Sequence, residues 1–299
     1  LLALEPEQVA VASTGIIGVQ LPMETLLTGL DSLLRQPRAQ DGVGAAEAIM
    51  TTDLVRKEVF LERQIGGTSV AIAGMAKGSG MIAPNMGTML AYLALSVPVP
   101  QELLQELFAE ACDASFNMVS VDSDTSTSDM ALLFATGNQV LSFDRLDIRA
   151  PLAALVTEAC VELAKMIARD GEGAEKLIEV RVRNATTLPE ARRIALNIVN
   201  SPLVKTAVHG GDPNWGRIAM AVGKDPSVTV DPDRVDLFFG NEQVFRQGAP
   251  LPQARERVRK ELAGPEVIIT ADLNLGAADA VAWGCDLTKR YVDINVDYS

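Results

Sequence analysis

The sequence of 299 residues predicts a layered α+β fold on three observations. Strand-like and helix-like segments are mixed along the chain without the strict alternation of a parallel doubly wound sheet. Hydrophobic residues make up 48% of the chain and aromatics only 4%, so the core has to be packed from Ala, Val, Leu, Ile and Met. The clearest periodicity is helical: Leu152, Leu155, Val156, Ala159, Leu163, Met166 and Ile167 recur on one face.

The elements follow in order. Val9-Ala10-Val11-Ala12 reads as a short strand ending at Ser13-Thr14-Gly15, and Met23, Leu26, Leu27, Leu30, Leu33 and Leu34 mark a helix. Segments 57–63 and 68–75 read as two strands around a Gly66-Gly67 turn, and the apolar run from Met89 as another strand. A helix opened by Pro100 and acidic residues runs to Phe116, and strands follow at 118–121 and 130–135. The long helix stops at Asp170-Gly171-Glu172-Gly173, after which Ile178, Val180 and Val182 alternate with charged residues as a half-exposed strand. Beyond it the pattern predicts helices at 189–200, 215–222 and 253–262, and strands at 235–245, 266–272, 278–283 and 290–296. The composition shifts near Gly173 and divides the chain into residues 1–174 and 175–299.

With 26 basic against 39 acidic residues the net charge is −13, the opposite of the basic footprint of a nucleic-acid binder. Cys112, Cys160 and Cys285 are far apart and odd in number, which reads as reduced, buried thiols rather than a disulfide framework. The longest apolar stretch, from Met89, is broken by Ser96, Pro98 and Pro100, too early to span a bilayer, and no export leader is visible. A cytoplasmic protein is expected.

Catalytic chemistry is scarce. The single histidine, His209, sits in a segment read as a loop, where a lone histidine is more often structural than a general base. A zinc site is short of ligands for the same reason, and no phosphate-binding glycine pattern is complete. The run Asp122-Ser-Asp-Thr-Ser-Thr-Ser-Asp129 lacks the Gly and Glu that a calcium loop needs at its sixth and twelfth positions. It reads as a hydroxyl-rich turn that caps backbone N–H groups. What remains is the stretch Lys77-Gly-Ser-Gly-Met-Ile-Ala-Pro-Asn-Met-Gly-Thr-Met-Leu90, in which a small residue precedes one hydroxyl and then an apolar run. A cut between Gly87 and Thr88 would leave a terminal threonine carrying its own base, the α-amine, beside its own nucleophile. Alone, Thr88 reads sooner as a β-branched residue opening a strand, since one Gly-Thr step in a chain this long is unremarkable.

The company it keeps changes that balance. Ser13-Thr-Gly-Ile-Ile-Gly18 with Leu21-Pro-Met23, Ala48-Ile-Met-Thr-Thr-Asp53, the 77–90 stretch, Val121-Asp-Ser-Asp-Thr-Ser-Thr127, Arg169-Asp-Gly-Glu-Gly-Ala174, Gly211-Asp-Pro-Asn-Trp-Gly-Arg-Ile218, Ala282-Trp-Gly-Cys-Asp-Leu287 and Tyr291-Val-Asp-Ile-Asn295 occur in order across the whole chain. Together they resemble the glutamate N-acetyltransferase and ornithine acetyltransferase family of arginine biosynthesis, a self-processing family with an amino-terminal threonine nucleophile. The resemblance implies a layered α/β sandwich of the self-processing aminopeptidase and ornithine acetyltransferase type, with a smaller C-terminal α+β domain that contributes to the active site. It also implies a segment upstream of Leu1, and a further hydroxyl residue at the substrate site beyond Ser299.

Carried over residue by residue, it makes Thr88 the nucleophile, Gly87-Thr88 the cleavage point, and the Thr14 hydroxyl and Gly15 N–H the oxyanion hole. Thr51, Lys77, Thr88, Glu172 and Asn295 fall on substrate-contacting positions. Where the family usually has Ala before the nucleophile this chain has Gly87, small and flexible enough for the strained peptide of an N→O acyl shift. The implied reaction moves the acetyl group of N2-acetylornithine to glutamate, with acetyl-CoA as an alternative donor in bifunctional members, no metal or other cofactor, and cleaved α and β chains assembled as a heterotetramer. Two alternatives stay open from the residues alone: an aminopeptidase or amidase of the same fold with water as acceptor, and a non-cleaving binding protein.

Overall fold

A computed structural model describes residues 4–35, 42–83, 89–137, 141 and 146–296. After a turn of 3-10 helix at Pro6–Gln8 come helices α1 (Met23–Arg35) and α2 (Gly42–Ala48), then strands β1 (Lys57–Ile65), β2 (Thr68–Lys77) and β3 (Leu90–Leu95). Helix α3 (Gln101–Ala114), strands β4 (Val119–Ser120) and β5 (Met130–Ala135), and the long helix α4 (Leu146–Arg169) follow. The remainder is β6 (Leu177–Ala185), α5 (Leu188–Val199), α6 (Pro202–His209), α7 (Trp215–Gly223), β7 (Asp236–Phe239), β8 (Glu242–Arg246), β9 (Ala249–Pro250), α8 (Arg255–Leu262), β10 (Glu266–Asp272), β11 (Ala278–Cys285) and α9 (Lys289–Val296).

The strands form two sheets. The first has the order β1-β2-β3-β5, the second β4-β11-β6-β10-β7-β8-β9. The hairpin β1–β2 turns at Gly66-Gly67, both with positive φ, a conformation glycine adopts without a Cβ penalty. Helix α4 packs on β1 and β2 of the first sheet and on β11 and β6 of the second. Its apolar stripe is why: Leu152, Val156, Ala159, Leu163 and Ala164 are all buried in one hydrophobic cluster shared with both sheets. Short β4 pairs with β11, so the chain before α4 also enters the second sheet.

The structure corrects four readings of the sequence. Residues 9–12 form no strand: Val9 and Val11 are 47% and 74% exposed, and β-branched side chains alone do not make a strand without a partner to pair with. Segment 290–296 is helix α9, although Val292, Ile294 and Val296 alternate as in a strand. The buried Thr288 side chain decides it, donating to the Gly173 carbonyl at 2.7 Å and accepting the Arg290 N–H at 3.1 Å at the helix start. Segment 235–245 is two strands around Gly240, whose φ is +54°. His209 ends helix α6 rather than sitting in a loop; Ser201 caps that helix and Pro202 opens it.

One polar cluster lies inside this apolar frame. The Lys57 ammonium is fully buried between Asp53 Oδ1 and Asp170 Oδ2, 2.6 Å from each. Burial alone would raise the Asp53 pKa, but the Gly78 N–H, the Lys57 ammonium and the Thr51 N–H outweigh it and hold the carboxyl below its ordinary value. Removing one partner of a buried ion pair leaves uncompensated charge, so Lys57→Met will lose about 3–5 kcal/mol of stability in denaturant unfolding. In the wild type, the part of stability that comes from Asp53 is complete above the ordinary aspartate pKa of 3.8 and is lost as pH falls through the lower folded value. An acid titration of stability should show that loss, and Asp53→Asn should flatten it.

Candidate active site

Strand β2 ends at Lys77 and enters a turn whose residues face segment 51–53 on one side and the 170–173 turn after α4 on the other. The turn is held from below by Asp53, which accepts the Gly78 N–H at 2.7 Å and the Thr51 N–H at 3.1 Å. Asp170 accepts the Leu54 N–H at 3.0 Å, and Glu172 N–H donates to the Ser79 carbonyl at 2.8 Å. The Lys57 cluster therefore fixes three segments that meet at one place.

Above it opens a cavity of about 360 Å³. Its walls carry Thr14, Gly15, Thr51, Lys77, Glu172 and Asn295, every described residue that the sequence singled out for a site, although they span the chain from its first strand-like segment to its last helix. Gly87 and Thr88 lie outside the described residues. Thr52, Ser79, Gly80, Met81 and Ser126 to Ser128 complete the lining, together with Ile16 and Ile17.

Opposite charges are presented within this cavity. Glu172 is held by both carboxylate oxygens: Thr52 Oγ1 donates to Oε1 at 2.9 Å and Asn295 Nδ2 donates to Oε2 at 2.9 Å. Thr52 also shares a 2.6 Å hydrogen bond with Ser79 Oγ. Lys77 is 2% exposed, and its ammonium has Thr51 Oγ1 at 3.5 Å as its hydrogen-bond partner among the described residues. Burial lowers the Lys77 pKa and the nearby Lys57 charge adds to this, while Asp53 and Asp129 act the other way. A ligand carboxylate would offset the desolvation of that ammonium, and the anchored Glu172 carboxylate suits a ligand amine. Two charges of opposite sign on a small, partly apolar cavity match an amino acid.

The run from Asp122 to Asp129 does cap backbone groups as its composition suggests, and it also forms a wall of the cavity, which the sequence reading missed. Asp122 accepts the N–H groups of Met81 at 2.7 Å and Ile82 at 3.0 Å. Asp129 accepts the Met89 N–H at 3.1 Å. Burial raises the Asp122 pKa despite these donors, and raises Asp129 to about 6. The Tyr291 hydroxyl lies 3.5 Å from Asp122; burial and the charges of Asp122, Glu172 and Asp124 push it up to about 12, so it stays a neutral phenol. The one signal available was the density of Asp and Ser/Thr in eight residues.

His209 is not in the cavity. Its Nδ1 lies 3.0 Å from Asp286 Oδ2, and Asp286 Oδ1 accepts the N–H groups of Glu175 and Lys176 at 2.9 and 2.8 Å. Glu175, His209 and Asp286 bring one ligand atom each within 4.8 Å of the others, but the buried carboxylate is already committed to the turn that follows Gly173. Burial raises the Cys112 thiol to about 12 and raises Cys160 and Cys285 as well, so none of the three is an activated thiolate.

A profile of the ArgJ family matches residues 1–299. The chain belongs to the ArgJ family. It is 47% identical over 298 residues to the arginine biosynthesis bifunctional protein ArgJ of Parasynechococcus marenigrum, a match that covers the whole chain and 72% of that relative. The ArgJ protein of Bacillus cereus strain ATCC 14579 is 42% identical over 298 residues, covering 99% of this chain and 72% of its own length. A crystal structure of the ArgJ protein of Bacillus halodurans superposes with a TM-score of 0.64 at 39% identity, covering 68% of this chain and 96% of the solved one. Over the part it covers, the mixed α+β fold is that of a solved ArgJ structure.

Two glycines of this ArgJ-family site lie where a side chain has no room. A Cβ on Gly173 would lie 2.4 Å from the Tyr291 backbone nitrogen, at a φ of +70°, whereas one on Gly80 would meet only the Glu172 carboxylate, at 2.3 Å. Backbone cannot step aside and a side-chain end can. Gly173→Ala will therefore cost at least about 1–2 kcal/mol in chemical denaturation. Gly80→Ala will leave stability nearly unchanged while displacing Glu172 and weakening ligand binding in a calorimetric titration.

Proposed function

We propose that the chain is an acyltransferase of arginine biosynthesis that carries the acetyl group of N2-acetylornithine to glutamate through an acetyl-threonine intermediate at Thr88. The observation that carries this reading is the convergence of Lys77, Glu172, Thr51, Asn295, Thr14 and Gly15 on one cavity. Membership of a family whose relatives are named for arginine biosynthesis supplies the pathway. Residues 1–174 and 175–299 act here as two parts of one enzyme, the second contributing Asn295.

Maturation comes first. The Thr88 hydroxyl attacks the Gly87 carbonyl, the peptide C–N bond breaks to an ester, and water hydrolyses the ester to a Gly87 carboxylate and a free Thr88 amine. The α-amine, with a reference pKa of about 8, is partly neutral near pH 7 and serves as base. In transfer, that amine takes the Thr88 hydroxyl proton as the oxygen attacks the acetyl carbonyl. The Thr14 hydroxyl and Gly15 N–H donate to the oxyanion. The proton passes to the departing ornithine nitrogen. Glutamate then attacks the threonine ester with its amine and loses a proton to the Thr88 amine, which returns it to the Thr88 oxygen as the ester C–O bond breaks and N-acetylglutamate leaves. Lys77 binds the substrate carboxylate; Glu172, fixed by Thr52 and Asn295, takes the substrate ammonium. The chemistry calls for no metal or other cofactor, and acetyl-CoA is a second donor if the chain is bifunctional.

The cleaved chains are proposed to assemble as a heterotetramer in the cytoplasm; among the described residues no helix is long and apolar enough to cross a membrane. Denaturing mass spectrometry of the purified protein should show residues 1–87 and 88–299 as separate chains. Thr88→Ala should give one uncut chain with no acetyl transfer from N-acetylornithine to glutamate. A variant that stays uncut yet still transfers would exclude Thr88 as the nucleophile.

A further inference from the structure

The loop from Asp122 to Asp129 grips the connection between β2 and β3 at two points. On the β2 side Asp122 takes the N–H groups of Met81 and Ile82, and Val121 N–H donates to the Ile82 carbonyl at 2.9 Å. On the β3 side Asp129 Oδ1 takes the Met89 N–H at 3.1 Å, and Met130 N–H donates to the Met89 carbonyl at 3.1 Å. Met89 is thus pinned through both its backbone polar groups, and it then enters β3, where Leu90 pairs with Lys77 on one side and Met130 on the other. Residue 89 immediately follows the threonine assigned as nucleophile.

We propose that Asp129 is a positioning residue for acyl transfer: its hydrogen bond to Met89 N–H fixes the backbone on which Thr88 is carried. The inference rests on Thr88 being the nucleophile. An amino-terminal residue has no preceding peptide to hold it, so after cleavage its placement depends on the residue behind it. Effective molarity in such a reaction falls steeply when the attacking atom shifts by about 1 Å, with about 100-fold losses in rate. Burial raises the Asp129 carboxyl to about 6, while the Met89 N–H and the Lys77 charge act the other way.

The test compares Asp129→Ala and Asp129→Asn with the wild type and with Thr88→Ala, using the full chain. Asp129→Ala should lower kcat by about 100-fold while KM for N-acetylornithine and for glutamate stays within about twofold. It should also slow the appearance of the 88–299 fragment in a mass-spectrometric time course. Asp129→Asn retains an acceptor oxygen for Met89 N–H and should recover most of kcat. If the alanine variant does not fold, Asp129→Ser, whose hydroxyl is too short for the same bond, takes its place with the same expected loss. Wild-type kcat in the alanine or serine variant overturns the proposal, as does a change confined to KM. An asparagine variant as slow as alanine also overturns it, because charge rather than the hydrogen bond would then be at work. If Thr88→Ala itself transfers acetyl groups, the nucleophile reading fails; if it is inert while Asp129→Ala keeps the wild-type rate, only the role of Asp129 fails.

Discussion

A buried ammonium between two carboxylates is what the rest of the structure depends on. Lys57 alone in this core would be prohibitively costly, and so would either aspartate; together they hold segments separated by more than 110 positions. The two carboxylates are not finished by the ion pair. Each has lone pairs left, and each spends them on backbone N–H groups: Thr51 and Gly78 for Asp53, Leu54 for Asp170. Thr51 is itself a cavity residue, Gly78 follows Lys77, and Asp170 lies two positions before Glu172. Electrostatic pairing below the site thus sets the geometry of the site, without any of the three ionic residues lining it.

That support gives Lys77 and Glu172 different characters. Glu172 is oriented by one side-chain donor on each carboxylate oxygen, with lone pairs left for a ligand. Lys77 is buried with one distant hydroxyl partner among the described residues, so its charge is the group whose energy a bound carboxylate changes most. An amino-acid substrate bridging the two would have its orientation determined before any chemistry begins. In a reaction whose nucleophile and base share one residue, orientation is most of what the protein has left to supply. The turn of Asp122 to Asp129 extends the same logic to the chain on either side of the proposed cut.

Much of this was legible in the sequence, and the gaps have physical causes. The stripe of α4 and the Gly66-Gly67 hairpin follow from local periodicity and backbone freedom, and both appear as expected. Helix α9 was misread because Val292, Ile294 and Val296 alternate like a strand, while the contact that selects helix comes from Thr288 and a carbonyl 115 positions away. Helix α6 was missed because its valines and threonine favour strands, although Ser201-Pro202 is a legible start signal. Thr14, Gly15, Thr51, Lys77, Glu172 and Asn295 were assigned from matching motif blocks; composition and spacing alone could not have gathered them. Lys57 carried no signal at all, since one of its partners lies 113 residues away. Asp129 was absorbed into a capping turn because the N–H it caps belongs to a residue 40 positions upstream.

The central claim is that Thr88 carries the acetyl group between the two substrates. Incubating the purified protein with N-acetylornithine in the absence of glutamate, then quenching in acid and measuring the intact mass of each chain, tests it directly. The account predicts that the chain beginning at Thr88 gains the mass of one acetyl group, that fragmentation places it on Thr88, and that adding glutamate removes it. An unmodified chain under conditions where transfer proceeds, or an acetyl group located on another residue, would contradict it.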